Sequence, residues 1–259
     1  MRFIFAIIFI SANLMAVLST HRYESAGMVV FENPEDVSNS FIYFILILLF
    51  TSLVLLLARS QQFLAGLIYF LTLISIFYVL IPFLDVFAIF VAIVITALLI
   101  KKPNWLLVNI SAFMLSVGIS AMFGISLEPL PVMVLLAILA VYDAISVYKT
   151  KHMLSLADSV TKINAPMVFV IPKGENKMLM GVGDVVMPAI LAVSAQRFTN
   201  SPEIAFIKLS ALLTIIGGFF GLALLLYLVE KRKGAHAGLP FINTGAIVGF
   251  LLATSVHSP

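Results

Sequence analysis

Long apolar runs, broken by short polar interruptions, dominate what this chain can fold into. A membrane-spanning helix needs roughly 20 mostly apolar residues. Such runs lie at about 3–19, 41–58, 62–80, 84–100, 105–123, 130–148, 180–196, 206–229 and 238–256. Arg59 to Gln62 divides the second from the third. Pro82 to Asp85 divides the third from the fourth, and Lys101, Lys102 and Pro103 divide the fourth from the fifth. The first run begins like a signal peptide, with Arg2 ahead of an apolar Phe3 to Ile10. No small-x-small cleavage site follows, and the apolar stretch continues through Leu18, so it is expected to be kept as a helix. The expectation is an all-α polytopic membrane protein with nine transmembrane helices and one domain over 1–259. Spans one to six occupy 1–148, an inner loop 149–179, and spans seven to nine 180–259.

Composition excludes the alternatives. Hydrophobic residues make up 62% of the 259, and charged residues only 10%, against about 25% in average soluble domains. Disorder is excluded for the same reason. There is no cysteine, which removes disulfides and thiolate zinc sites. The four histidines are scattered, so neither a metal nor a cofactor is expected. A net charge of +3 is too small and too dispersed for a nucleic-acid surface.

The placement of Lys and Arg sets an orientation. With the N-terminus inside, twelve of the 15 fall on inner loops, and only Arg22, Arg197 and Lys208 fall outside. The chain then reads as a multi-pass protein of the lipid bilayer, with a cytoplasmic N-terminus and an outer C-terminus. Asp85 reads as a helix cap at the outer edge, Lys208 as a snorkelling side chain and Trp105 as an interface anchor.

Ionisable groups inside membrane spans are costly and are therefore candidate functional groups. Asp143 and Asp184 stand out. Asp143 is six residues before Lys149, about 9 Å along a helix from the inner boundary. Asp184 is seven residues after Lys177, about 10 Å by the same rise. Two aspartates at one depth on consecutive helices are placed to face each other. Carboxylates in contact share one proton and titrate in two separated steps. One can then draw a proton from water while the other donates to a peptide carbonyl, as in the soluble aspartic proteases. Gly181 and Gly183 just before Asp184 permit non-helical backbone and close approach of another chain. Helix nine starts near Gly238-Leu239-Pro240, where Pro suits a first helical turn.

Tyr142-Asp143 in one span, Gly181-Val182-Gly183-Asp184 at the next, and Ala237-Gly238-Leu239-Pro240 before the last together resemble the presenilin and signal peptide peptidase family of intramembrane aspartyl proteases. The third motif departs from the family's Pro-Ala-Leu, with Ala and Gly in place of Pro and Ala. The resemblance covers the whole chain and implies a presenilin-like nine-span bundle. Asp143 and Asp184 would be the catalytic pair, supported by Tyr142, Gly181, Val182 and Gly183. The substrates would be transmembrane proteins or peptides. The orientation matches presenilins rather than the inverted signal peptide peptidases. The absence of large loops resembles a compact archaeal homologue, which implies the cell membrane of a prokaryote and no obligate partner subunit.

A helix shields its peptide bonds, so a substrate helix must unwind, and its freed backbone groups need partners in lipid. Pro166 to Pro172 is a short β-prone run. Val168, Phe169 and Val170 there, with Gly238, Leu239 and Pro240, are the candidate substrate contacts, the strand acting by strand addition. Substrate-bound presenilins, by the resemblance, pair strands in this way. The chain has no His-Glu-x-x-His for a zinc protease and no Gly-x-Ser-Gly for a serine protease. The alternative class is an ion channel or cation-coupled transporter using the same aspartates.

Overall fold

The structure, a computed structural model, describes residues 2–57, 60–150, 165–173, 176–231 and 236–255. Arg59, Lys151, Lys162, Arg232 and Lys233, used above to orient the chain, and the C-terminal His257 to Pro259 lie outside the described residues.

The helices are α1 (Arg2–Ser25), α2 (Ser38–Leu57), α3 (Gln61–Leu84), α4 (Ala88–Lys101), α5 (Trp105–Gly124), α6 (Pro129–Ile145), α7 (Val182–Phe198), α8 (Leu209–Lys231) and α9 (Leu239–Ser255). Antiparallel strands β1 (Val168–Lys173) and β2 (Asn176–Gly181) precede α7, and a minimal hairpin of β3 (Glu203–Ile204) and β4 (Ile207–Lys208) follows it. Among the described residues, six stretches are long and apolar enough to cross a bilayer: Phe3–Ser25, Ser38–Leu57, Gln61–Lys101, Trp105–Gly124, Pro129–Lys149 and Leu209–Lys231. That is fewer than the nine spans expected, for two physical reasons. Gln61–Lys101 counts once although it doubles back: Asp85 has φ 50° and ψ −129°, and the arms then pack together, with Ile76 and Val79 against Ala92. The other reason is length, since α7 and α9 have only 17 residues each.

Helix α7 is the axis of the bundle. Its residues from Val185 to Ala195 are buried except for Met187, and α1, α5, α6, α8 and α9 all pack on it. A helix enclosed on all sides needs small, closely packing residues more than a lipid-facing stripe, which explains its weak hydropathy in the sequence. At the end far from the β1–β2 hairpin, Arg197 fastens it. Nε lies 3.1 Å from Oε1 of Glu24, and the guanidinium also donates to the Ile125 carbonyl. Lys208 turns back to donate to the Thr199 carbonyl rather than reaching outward. Helix eight starts three residues later than expected, because Ala205 and Phe206 both take positive φ in the turn that joins β3 to β4.

Helices α8 and α9 cross at backbone contact. A Cβ added at Gly217 would run into the Gly245 carbonyl, and one at Gly245 into the Gly217 carbonyl. This is the small-residue crossing that membrane helices use in place of a hydrophobic driving force. It fixes α9, and with it the turn that opens α9.

The β1–β2 hairpin replaces the expected start of helix seven. Met180 and Gly181, assigned above to a span from 180, are strand residues paired with Phe169 and Val168. Helix α7 begins at Val182, whose N–H closes the ladder on the Met167 carbonyl at 3.0 Å. The depth estimate for Asp184 assumed helical rise from Lys177, and that rise does not apply to a strand. On the outer side of β1, the Asn109 amide of α5 takes both main-chain groups of Val170, at 2.8 Å each. We expect Asn109→Leu to destabilise the folded protein by about 1–3 kcal/mol, because it strands those two groups in an apolar setting. Thermal unfolding in detergent measures this, and an unchanged midpoint would show the amide to be dispensable.

Candidate active site

Asp184 owes its position to a local device. Gly181 is extended, with φ −63° and ψ 141°, and acts as the N-cap of α7. Asp184 is then the third helical residue, and its carboxylate turns back to accept the Gly181 N–H. Asp143 lies in the last turn of α6 and is buried, at 6% exposure. Just beyond it the helix widens into a π-turn over Ser146–Thr150.

The segment Ala237 to Leu239 joins the two aspartates. The Leu239 N–H donates to Asp143 Oδ2 at 3.1 Å, and the Gly238 N–H also reaches that carboxylate. Gly238 lies against the other aspartate: a Cβ there would come 2.7 Å from Asp184 Oδ1 and 3.1 Å from Cγ. The turn therefore lies between the two acidic side chains, bonded to Asp143 and packed against Asp184. Among the described residues no group of three or more His, Asp or Glu could hold a metal ion.

The rest of the motif surrounds this point unevenly. Gly183 is exposed, and a Cβ on it would meet nothing within 4 Å. Val182 is half-buried. Tyr142 packs edge-to-face on Phe44 of α2, with ring centroids 5.7 Å apart and an interplanar angle of 79°. Pro240 is the second residue of α9, where its missing N–H costs no helical bond. Val168, Phe169 and Val170 are buried in β1.

The family model described as "Signal-peptide peptidase, presenilin aspartyl protease" matches residues 5–258. The chain belongs to that family. Two solved structures of a presenilin family intramembrane aspartate protease agree with it at 34% identity. The C222 crystal form superposes with a TM-score of 0.78 over 98% of this chain and 99% of the other. The P2 form gives 0.74 over 97% and 96%. A comparison with curated proteins gives no match. The protein is thus an integral membrane, presenilin-family intramembrane aspartyl protease, and the channel or transporter alternative finds no support.

Within this presenilin-family fold, three residues that hold the site's surroundings escaped the sequence reading. The Tyr148 hydroxyl accepts the Ala237 N–H at 3.4 Å. Asn243, buried one turn into α9, donates to the Leu136 carbonyl of α6 at 3.0 Å and so ties the two helices two turns before Asp143. Asn109 guards β1. Asn109 and Asn243 had a legible signal, since an amide inside an apolar run needs a partner. Tyr148 had none, because it sits among ordinary interface residues.

Proposed function

We propose that Asp143 and Asp184 are the catalytic pair and that water is the nucleophile. The observation that supports this reading is the turn Ala237 to Leu239, which bonds to Asp143 through the Leu239 N–H and lies against Asp184 at Gly238. One carboxylate takes a proton from water as the oxygen attacks the scissile carbonyl carbon. The other gives its proton to the carbonyl oxygen. The gem-diol intermediate then collapses: one of its hydroxyls returns a proton to the carboxylate that had donated, the other carboxyl gives its proton to the departing amine as the C–N bond breaks, and the pair ends with the single proton it began with. No cofactor enters.

The substrates are transmembrane segments that unwind at the cut. The ladder register supports a place for them. Val170 faces Asn109 with both main-chain groups, so it and its partner Leu179 form a pair whose N–H and C=O point away from the other strand. The outward edge of β2 therefore includes Leu179, and among the described residues no hydrogen bond occupies it. Pro172 falls on the same alternation in β1, where a missing N–H breaks no ladder bond. An unwound substrate added along β2 leads toward Gly181 and the aspartates. The substrate edge is thus β2, while the candidates Val168 to Val170 support it from within. We expect Leu179→Pro, which removes one edge donor, to raise KM about five- to tenfold while Leu179→Ala does not. Equal KM values for the two variants would argue against pairing at this edge.

The nine-span arrangement over a single domain 1–259, with the N-terminus inside, is part of the same reading. The reversal at Asp85 supports counting α3 and α4 separately, and twelve Lys and Arg on one side support the orientation. The proposed setting is a prokaryotic cell membrane, with no obligate partner subunit. The test is cleavage of a reporter transmembrane helix by the purified protein in lipid. Because the pair must hold one shared proton, the rate should fall on both the acid and the alkaline side. A flat profile between about pH 4 and pH 9 would count against a shared proton.

A further inference from the structure

We propose that Asn243 is a positioning residue for the reaction: its amide sets the register of α9 on α6, and so holds the turn of Ala237 to Leu239 at the depth and angle that Asp143 requires. This inference rests on the catalytic pair proposed above.

Asp143 and the turn that bonds it come from different helices, so one helix must be fixed against the other. The glycine crossing sets α9 against α8, but Asp143 is carried by α6. The buried residues of α6 before Asp143 are Pro131, Val132, Leu135, Leu136 and Leu139, and Asn243 is the one polar side chain among the buried residues of α9. Apolar helix faces slide and rotate on one another at little cost in a bilayer, because lipid tails are as apolar as they are. A hydrogen bond has direction and a narrow range of length, so it resists both motions. The Asn243 amide donates to the Leu136 carbonyl at 3.0 Å, and the Leu239 N–H donates to Asp143 Oδ2 at 3.1 Å. These bonds run in antiparallel order. They lie four residues apart on α9, about one turn, and seven apart on α6, about two turns. By that spacing Leu136, Leu139 and Asp143 share one face of α6, and Leu239, Asn243 and Ala246 share one face of α9. Two fixed points on facing stripes define both the axial and the rotational setting of the pair. A lone buried amide among apolar neighbours sets register in this way in coiled coils.

The amide is also kept at a cost to the fold. Asn243 is 0% exposed, and its Oδ1 is buried with no hydrogen-bond partner among the described residues. An unpaired buried carbonyl oxygen is destabilising. Leu would fill a similar volume without stranding a polar atom of its own, and the Leu136 carbonyl would keep its place in the helical ladder of α6. Packing alone therefore favours Leu here, and placement of the turn accounts for the amide.

The test uses the full chain in lipid vesicles with a reporter transmembrane helix, and compares wild type with Asn243→Leu and Asn243→Gln. Asn243→Leu should unfold at or above the wild-type midpoint and keep KM within about twofold, yet cut bound reporter about ten- to a hundredfold more slowly in a single turnover. Hydrogen exchange at the Leu239 amide should become severalfold faster, because its bond to Asp143 opens more often. Asn243→Gln, which keeps the donor on a longer arm, should recover part of the rate. A wild-type single-turnover rate in Asn243→Leu overturns the proposal, and so does unaltered exchange at Leu239. A variant that fails to fold, or whose midpoint falls in step with its rate, makes the amide structural and overturns it too. Wild-type protein that cuts no reporter would instead remove the catalytic reading, while exchange at Leu239 would still report whether Asn243 sets the turn.

Discussion

Asp143→Asn and Asp184→Asn will each reduce cleavage of a reporter transmembrane helix by about 10²–10⁴-fold or more, with the protein still folded. Asn is nearly the same size and shape as Asp, and its carbonyl oxygen can still accept the Leu239 N–H at 143 or the Gly181 N–H at 184. What it cannot do is exchange a proton with water or with the substrate carbonyl. Helix content and unfolding midpoint should therefore stay close to wild type while product formation collapses. The double variant should be scarcely worse than either single one, because residues that act as one unit are strongly non-additive. A single variant that keeps more than a small fraction of the wild-type rate would show that its aspartate is not catalytic.

Gly238→Val is expected to have nearly as large an effect for a different reason. A Cβ at 238 would lie 2.7 Å from Asp184 Oδ1, inside van der Waals contact. With Ala, the end of the Asp184 side chain can move by a few tenths of an ångström, and cleavage should fall only severalfold. With Val, two further methyl groups on a stiff χ1 meet a turn that is also bonded to Asp143, so either the Leu239 N–H bond or the placement of Asp184 is lost. A displacement of about 1 Å in a reacting group can cost about 10²-fold. Single-turnover cleavage of bound reporter separates this from weaker binding. A wild-type single-turnover rate in Gly238→Val would mean that the turn merely passes the carboxylates.

The contact at Gly238 also bears on one of the two departures from Pro-Ala-Leu noted in the sequence, the Gly in place of Ala. In this arrangement the turn has closed onto Asp184 to a distance at which Gly fits without adjustment. Three other parts of the site were legible for equally physical reasons. The aspartates showed themselves because charge within an apolar run is costly. The turn showed itself because Pro240 marks a helix start, and β1 because prolines bound a β-prone run. Strand β2 was hidden because Met178, Leu179 and Met180 suit a helix as readily as a strand, and only pairing with β1 decides. The close crossing of α8 and α9 was written in Gly217, Gly221, Gly245 and Gly249, whose spacing of four on each helix marks a shared face once the two helices are known to meet. Helix α7 was hard to read as a span because Asp184, Pro188, Ser194 and its alanines dilute the apolar run, and only its enclosure by neighbouring helices explains why such residues suit it.

The turn between the two carboxylates has a consequence for how such a protein comes into being. Chains are made from the N-terminus, and domains assemble in that order. Asp143 and Asp184 leave the ribosome well before Leu239, which opens α9. Until that helix inserts and settles against α8, the Asp143 carboxylate is without its main-chain donors, and Asp184 is without the surface it packs on. A half-made molecule thus carries both acidic groups into the lipid as an unfinished machine. On the proposed reading of the pair, activity therefore waits for α9 to reach α8 and bring its opening turn to the two acidic groups.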